Sequence, residues 1–157
     1  MRMISSACRP VQRPMLLAVV AADLHPGSEG FRAAIAGISA DVRDQLARLA
    51  DWADSLERDG LAKVATFHGS EVTSLRPRVV GDRAGLVSIA CDVRSAYVQF
   101  WRSVFERCAP QSTALVEAEL GAELKQGNST HEFPEPLIKA LTQAYREAAT
   151  RGLSNKA

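Results

Sequence analysis

The sequence predicts an α+β fold in which helices pack on an antiparallel sheet of three to four strands. The central part of the chain, from residue 61 to residue 91, has apolar and polar residues that alternate with a period of two, and glycine-containing turns divide it into three short segments. The flanking segments have apolar residues at helical spacing instead. Because strands and helices are grouped in this way in α+β proteins, the predicted order of elements is α-β-β-β-α-α-β-α.

The composition is that of one globular domain. The 157 residues include 19 Lys and Arg against 18 Asp and Glu, and a formal net charge of +1 gives no overall attraction to nucleic acid or to an anionic membrane. Cys8, Cys91 and Cys108 are far apart and do not have the spacing of metal ligands. We therefore expect a cytoplasmic protein that holds no cofactor or metal and does not associate with a membrane.

Residues 1–30 differ from the rest of the chain and predict an N-terminal arm. Pro10, Pro14 and Pro26 interrupt any helix there, and no acid occurs before Asp23. The apolar run at residues 15–22 follows basic residues, so a secretion signal is an alternative interpretation to a peripheral strand. The domain itself is predicted over residues 31–152, and residues 153–157 are expected to fray.

The first long helix is predicted over residues 40–59. Ser39 can serve as its N-cap, Asp41 lies in the first turn, where the helix dipole favours an acid, and Gly60 gives the stop. Apolar residues recur every three or four positions over only two heptads, which is too short for a coiled coil. We expect this seam to dock on the sheet of the same chain, after a short helix over residues 31–38.

Three strands are predicted over residues 61–68, 72–80 and 85–91. The second strand has one apolar and one basic face, because two sets of side chains alternate along it: Thr73, Leu75 and Val79 on one face, and Ser74, Arg76 and Arg78 on the other. Pro77 cannot donate to a strand ladder, which indicates a sheet edge or a bulge. The third segment is apolar almost throughout, as expected of a central strand.

Residues 95–108 hold four of the chain's nine aromatic residues: Tyr97, Phe100, Trp101 and Phe105. At 100° per residue these side chains fall within roughly 140° of one another, which predicts a core helix; a ligand wall or an oligomer contact is the alternative. The remaining predicted elements are a short helix over residues 113–120 capped by Ser112, a fourth strand over residues 121–126, and a last helix from Pro136 to Gly152.

The sequence indicates no enzyme. It has no catalytic motif or phosphate loop, and Cys91, Cys108, His68 and His131 are expected to be core and loop residues. Our first prediction is a non-enzymatic binding module that associates with itself or with a protein partner. Its interface is predicted either at Trp101 and Phe105 of the aromatic helix or at the sheet edge beside Pro77.

A second prediction is nucleic-acid binding. The segment Leu56-Glu-Arg-Asp-Gly-Leu-Ala-Lys63 and the following hairpin, which ends Thr73-Ser-Leu-Arg-Pro-Arg78, resemble the end of the recognition helix and the wing of winged-helix regulators. The resemblance implies a basic hairpin face of Lys63, Arg76, Arg78 and Arg83. It departs from that family in the preceding helix, whose acids would face phosphate unfavourably. Solvated arginines that protect a strand from aggregation explain the same residues.

A third prediction is a degenerate nuclease. The predicted element order resembles the restriction-endonuclease-like core, and Asp92-Val-Arg94 lies near the position of that family's Asp/Glu-x-Lys element. Arg94 stands where the family has lysine, and Asp82 would be about 30 Å from Asp92 along a straight strand. Glu71 or Glu57 would therefore have to complete a metal site. Alternatively, Asp92 caps the next helix.

Overall fold

A computed structural model describes residues 24–91 and 95–156 of the chain. Over these residues six strands form one antiparallel sheet in chain order, and five helices accompany it, so the α+β class is confirmed and the sheet has more strands than the predicted three to four. The elements are β1 (Leu24–Pro26), α1 (Glu29–Ile35), α2 (Ala40–Arg58), β2 (Ala62–His68), β3 (Thr73–Val79), β4 (Val87–Cys91), β5 (Ala96–Phe100), α3 (Arg102–Cys108), α4 (Thr113–Leu120), β6 (Ser129–Thr130) and α5 (Glu135–Lys156).

The largest difference from the sequence prediction is at residues 95–108, which are not one helix. The first half is strand β5, and only the second half is helical, as α3. β5 pairs with the whole of β4, from Val87↔Phe100 to Cys91↔Ala96. All five residues of β4 are buried, so its backbone groups need partners on both sides, and this requirement overrides the helical spacing of the aromatic residues.

Two further elements end differently from their predictions. Residues 121–126 are not a strand, because Gly121 takes the left-handed conformation that terminates α4 (φ 78°); the sixth strand is Ser129–Thr130, beside β5. α5 continues past Gly152 to Lys156. A Cβ at Gly152 would lie 2.7 Å from the carbonyl oxygen of Val80, so this glycine permits close helix–sheet contact rather than a stop.

Part of the predicted N-terminal arm belongs to the folded domain. Residues 24–26 form β1, which pairs with β2 from Leu24↔Phe67 to Pro26↔Ala65, and α1 begins at Glu29. The apolar run at residues 15–22 and the remainder of the arm lie outside the described residues.

The core lies between one face of the sheet and the helices α1, α2 and α5, and Phe105 of α3 and Val116 of α4 also belong to it. Leu46 and Leu49 of α2 are fully buried there with Leu75 and Ile89 of the sheet. Tyr145 of α5 is also fully buried, and burial raises its pKa above the ordinary value. The Tyr145 hydroxyl donates to the carbonyl oxygen of Pro77 (2.6 Å), which fixes α5 to the centre of the sheet.

Pro77 lies at a bulge in the interior of the sheet. The β3–β4 pairing runs to Leu75↔Ile89 and resumes at Arg78↔Gly85, which leaves one extra residue on the β4 side. Because proline has no N–H group, residue 77 has no backbone donor that the interruption could leave unpaired. β2 and β4 flank β3, so the predicted sheet edge at Pro77 is wrong, and the alternative prediction of a bulge matches this geometry.

None of the helices in the described part of the chain has both the length and the apolar character needed to cross a bilayer.

Candidate functional site: the open face of the sheet

The helices α1, α2 and α5 pack on one face of the sheet; we call the second face the open face, and α3 adjoins it at one end. The strand registers define its side chains, because cross-strand partners share a face: Lys63 with Arg78, Ala65 with Arg76, Phe67 with Ser74, Ala90 with Tyr97, and Ser88 with Gln99. Apolar, aromatic and basic side chains therefore occur together here. None of these strand positions carries a carboxylate.

Arg76 lies at the centre of the open face. Its guanidinium carbon is 4.3 Å from the centroid of the Phe67 ring, and its Nε donates to the Ser74 hydroxyl (3.2 Å). Burial lowers the pKa of Arg76 from its ordinary value, although an arginine remains charged at neutral pH. The face thus holds a partly desolvated cation, which costs free energy until an anion approaches.

Arg78 contributes a donor without a partner. Its Nε is buried and makes no hydrogen bond. Arg76, Arg78, Arg83 and Arg107 all line a cleft of about 460 Å³, together with Ser88 and Trp101; we call it the arginine cleft. Arg83 comes from the turn between β3 and β4, and Arg107 comes from α3.

One of the four arginines already has a counter-charge. Arg107 donates to both carboxylate oxygens of Asp82, at 3.0 and 3.1 Å, and mainly for this reason the pKa of Asp82 falls to about 2. The ion pair ties the β3–β4 turn to α3. Within the described residues, no carboxylate forms an ion pair with Arg76, Arg78 or Arg83.

A second cleft, of about 330 Å³, continues from the arginine cleft along the open face. We call it the aromatic groove, because Phe67, Tyr97 and Trp101 line it. The two clefts share Arg76, Ser88 and Trp101. The indole nitrogen of Trp101 donates to the Ser88 hydroxyl (2.9 Å), which holds the half-buried ring between the two clefts.

The structure brings three of the four predicted nucleic-acid-binding residues, Arg76, Arg78 and Arg83, into one cleft, and it places Lys63 opposite Arg78 on the same face. The three predicted interface residues differ in position and burial. Trp101 lies between the clefts, whereas Phe105 is fully buried in the core and Pro77 is buried at the bulge.

Three residues of these clefts were not among the predicted site residues: Phe67, Tyr97 and Arg107. Phe67 could have been found, because it shares the alternation of Lys63 along β2. The predicted core helix over residues 95–108 buries Tyr97, whereas strand β5 places it on the open face. Arg107 joins the cleft through tertiary packing of α3, for which the sequence carries no local signal.

The acids considered for a nuclease do not converge in the described residues. Glu57 accepts a hydrogen bond from the backbone N–H of Val64 (2.9 Å), and Asp82 is held by Arg107. Asp92 and Arg94 lie outside the described residues. No group of three or more His, Cys, Asp or Glu side chains suited to hold a metal ion occurs within residues 24–91 and 95–156.

The comparisons with known proteins give no match among protein-family models, curated proteins or solved structures.

Proposed function

We propose that the protein binds single-stranded nucleic acid across the open face of its sheet. One observation carries the proposal: the arginine cleft and the aromatic groove adjoin on a face whose strand positions have no carboxylate. Proteins that bind single strands combine such cationic tracks for the phosphates with rings on which the bases stack. In this proposal the basic surface is the open face of the sheet, whereas the resemblance to winged-helix regulators implied a projecting hairpin wing.

Single strands suit this surface better than duplexes do. Phe67, Tyr97 and Trp101 offer their rings to bases, and the bases of a duplex are already stacked and paired. The β2–β3 hairpin lies inside the sheet, with β1 and β4 on either side, so it does not project as a wing into a groove.

Association with a second copy or with another protein is the competing proposal. The outer strands of the described sheet are short, with three residues in β1 and two in β6, which gives little edge for pairing with another strand. A protein partner would have to supply acids for Arg76, Arg78 and Arg83. A nucleic-acid ligand supplies a negative charge with every nucleotide. Nucleic-acid binding is also compatible with the cytoplasmic location that the cysteine usage predicts.

The test is a fluorescence-anisotropy titration of the full chain with labelled single-stranded and duplex DNA and RNA. We expect the single strands to bind and the Arg76→Gln/Arg78→Gln variant to lose about tenfold or more in affinity at low salt, because it removes two phosphate-binding charges. The solution mass, measured in parallel, reports self-association.

The control is Arg58→Gln/Arg146→Gln, which removes two exposed arginines from α2 and α5 and so makes the same change in net charge. This variant should keep the wild-type affinity. Urea unfolding of both variants separates weaker binding by a folded protein from a loss of the fold. Equal loss in the two folded variants, or no binding with a mass of twice the chain, would contradict the proposal.

A further inference from the structure

We infer that the arginine cleft holds a terminal phosphate of the bound strand, so that the protein prefers single strands with a phosphorylated end. This inference rests on the proposed function and assigns a ligand group to one part of the same face. The chemistry to be recognised is a phosphomonoester, which either a strand end or a free nucleotide can provide.

The charge in the cleft matches a phosphomonoester better than a phosphodiester. Asp82 neutralises Arg107, which leaves Arg76, Arg78 and Arg83 without an ion-pair partner in the described residues. An internal phosphodiester carries one negative charge, whereas a phosphomonoester carries about 1.5 to 2 at neutral pH and has three acceptor oxygens. The buried Nε of Arg78 is a donor that such an oxygen would satisfy.

The shape of the cleft also favours the end of a strand. Ser103, Val104 and Arg107 of α3 form one wall, and Arg83, Ala84 and Gly85 of the β3–β4 turn form another. The Asp82–Arg107 ion pair connects α3 to this turn, so a side-chain bridge joins the two walls. A strand that passed through the cleft would have to cross this connection, whereas a terminal phosphate would stop at it.

The residues that line both clefts indicate in which direction the rest of the strand runs from its terminal phosphate. Trp101 lines both clefts, so a terminal nucleotide with its phosphate among the arginines would place its base near the indole ring. Phe67 and Tyr97 extend the path along the aromatic groove. Glu71 lines that groove and not the arginine cleft, so the acid lies where bases rather than the terminal phosphate are expected.

The experiment compares one short oligonucleotide sequence in three forms: with a 5′-phosphate, with a 3′-phosphate and with hydroxyl groups at both ends. The fluorophore is attached to an internal base so that both ends stay free. We expect one phosphorylated form to bind about tenfold more tightly than the hydroxyl form, because it adds charge-assisted hydrogen bonds to guanidinium groups.

Arg83→Gln changes an exposed turn residue of the arginine cleft, and it should weaken the phosphorylated form by a larger factor than the hydroxyl form, which reduces this preference. Tyr97→Ala should weaken all three forms. Arg58→Gln, on α2, should change neither property. Competition by a nucleoside monophosphate tests the second source of the group, and we expect it to compete more weakly than the strand because it lacks the stacked neighbouring bases.

The outcomes separate the two proposals. If no form of the oligonucleotide binds, the proposed function fails. If all three forms bind equally, nucleic-acid binding stands and the assignment of the cleft is wrong. If the monophosphate binds as tightly as the phosphorylated strand, and Tyr97→Ala leaves both affinities unchanged, the cleft is a nucleotide site and the assignment to a strand end is overturned.

Discussion

Asp82 joins the β3–β4 turn to α3 through its two carboxylate oxygens. It accepts hydrogen bonds from Arg107 of α3, from the backbone N–H of Ala84 (3.0 Å) and from the thiol of Cys108 (3.5 Å). All three stabilise the carboxylate form, and Arg107 makes the largest contribution to the lowering of the pKa of Asp82. This residue therefore sets the position of the turn that carries Arg83.

We predict a pH-dependent loss of stability for Asp82→Asn. The pKa of Asp82 falls from an ordinary value of 3.8 in the unfolded chain to about 2 in the fold, so the carboxylate contributes stability above pH 3.8 and loses it as the pH falls through about 2. At pH 6 we expect the free energy of unfolding to drop by about 1 kcal/mol, a value that allows for solvent screening at a partly exposed pair.

Urea unfolding at pH 6, 4 and 2.5 measures this effect. The difference between the wild type and Asp82→Asn should shrink over this range, while Asp44→Asn, at an exposed position of α2, should have little effect throughout. A difference that stayed constant down to pH 2.5 would show that the charge of Asp82 contributes nothing.

Two arginines of the site, Arg76 and Arg78, could be predicted from the sequence because they lie on a strand. Alternation along β3 places Arg76 and Arg78 on one face whichever strands flank β3, since side chains in a strand have a period of two. Arg107 could not be predicted in this way. Its place in the cleft depends on how α3 packs against the β3–β4 turn, and no local pattern encodes that contact.

At the scale of elements, residues 95–108 show where local patterns become ambiguous. Phe100, Trp101, Val104 and Phe105 satisfy a helical period, but Val98 and Phe100 also alternate with Tyr97 and Gln99 as in a strand. Over only five residues neither period is strong enough to distinguish a strand from a helix. Residues 96–100 form a strand because they pair with β4, which is buried and needs hydrogen-bond partners for its backbone N–H and C=O groups. Long elements such as α2 were predicted correctly because many turns of helix carry the same apolar seam.

Gly152 gives a prediction about how α5 docks on the sheet. Alanine at this helical position would gain up to about 1 kcal/mol in helix propensity. Its Cβ, however, would lie 2.7 Å from the carbonyl oxygen of Val80, closer than such atoms pack. We expect the clash to dominate, so that Gly152→Ala lowers the free energy of unfolding by about 1–3 kcal/mol.

Gly37→Ala is the matched control, because a Cβ at Gly37 meets no atom within 4 Å. It should be neutral or stabilise the protein by up to about 1 kcal/mol. Urea unfolding of the two variants gives the comparison. If Gly152→Ala were the more stable of the two, the end of α5 would not be held against the β3–β4 turn.

For the whole molecule, the arrangement of charge matters more than its sum. The formal net charge of +1 excludes neither a basic nor an acidic surface, because the charges are unevenly distributed: the strand positions of the open face carry bases and no acid, whereas the helices carry acids and bases together. Lys63, Arg76 and Arg78 lie on the open face, whereas α2, which packs on the other face, carries Asp41, Asp44, Asp51 and Asp54. A helix is about 10–12 Å across, comparable to the Debye length of about 10 Å at 0.1 M salt, so the acids of α2 are largely screened from a ligand on the open face.

This separation predicts that net charge and affinity can be changed independently. Asp41→Asn/Asp44→Asn raises the net charge by two but should leave the affinity for a single strand within about twofold at 0.1 M salt, since the change lies beyond the helix layer. Arg76→Gln/Arg78→Gln lowers the net charge by two, and it should flatten the dependence of log K on log salt concentration by about 1.4, or about 0.7 for each phosphate that the variant no longer neutralises. Titrations over 50–200 mM salt measure both slopes. If the aspartate variant gained as much affinity as the arginine variant lost, the ligand would respond to the total charge, and the open face would not be its binding site.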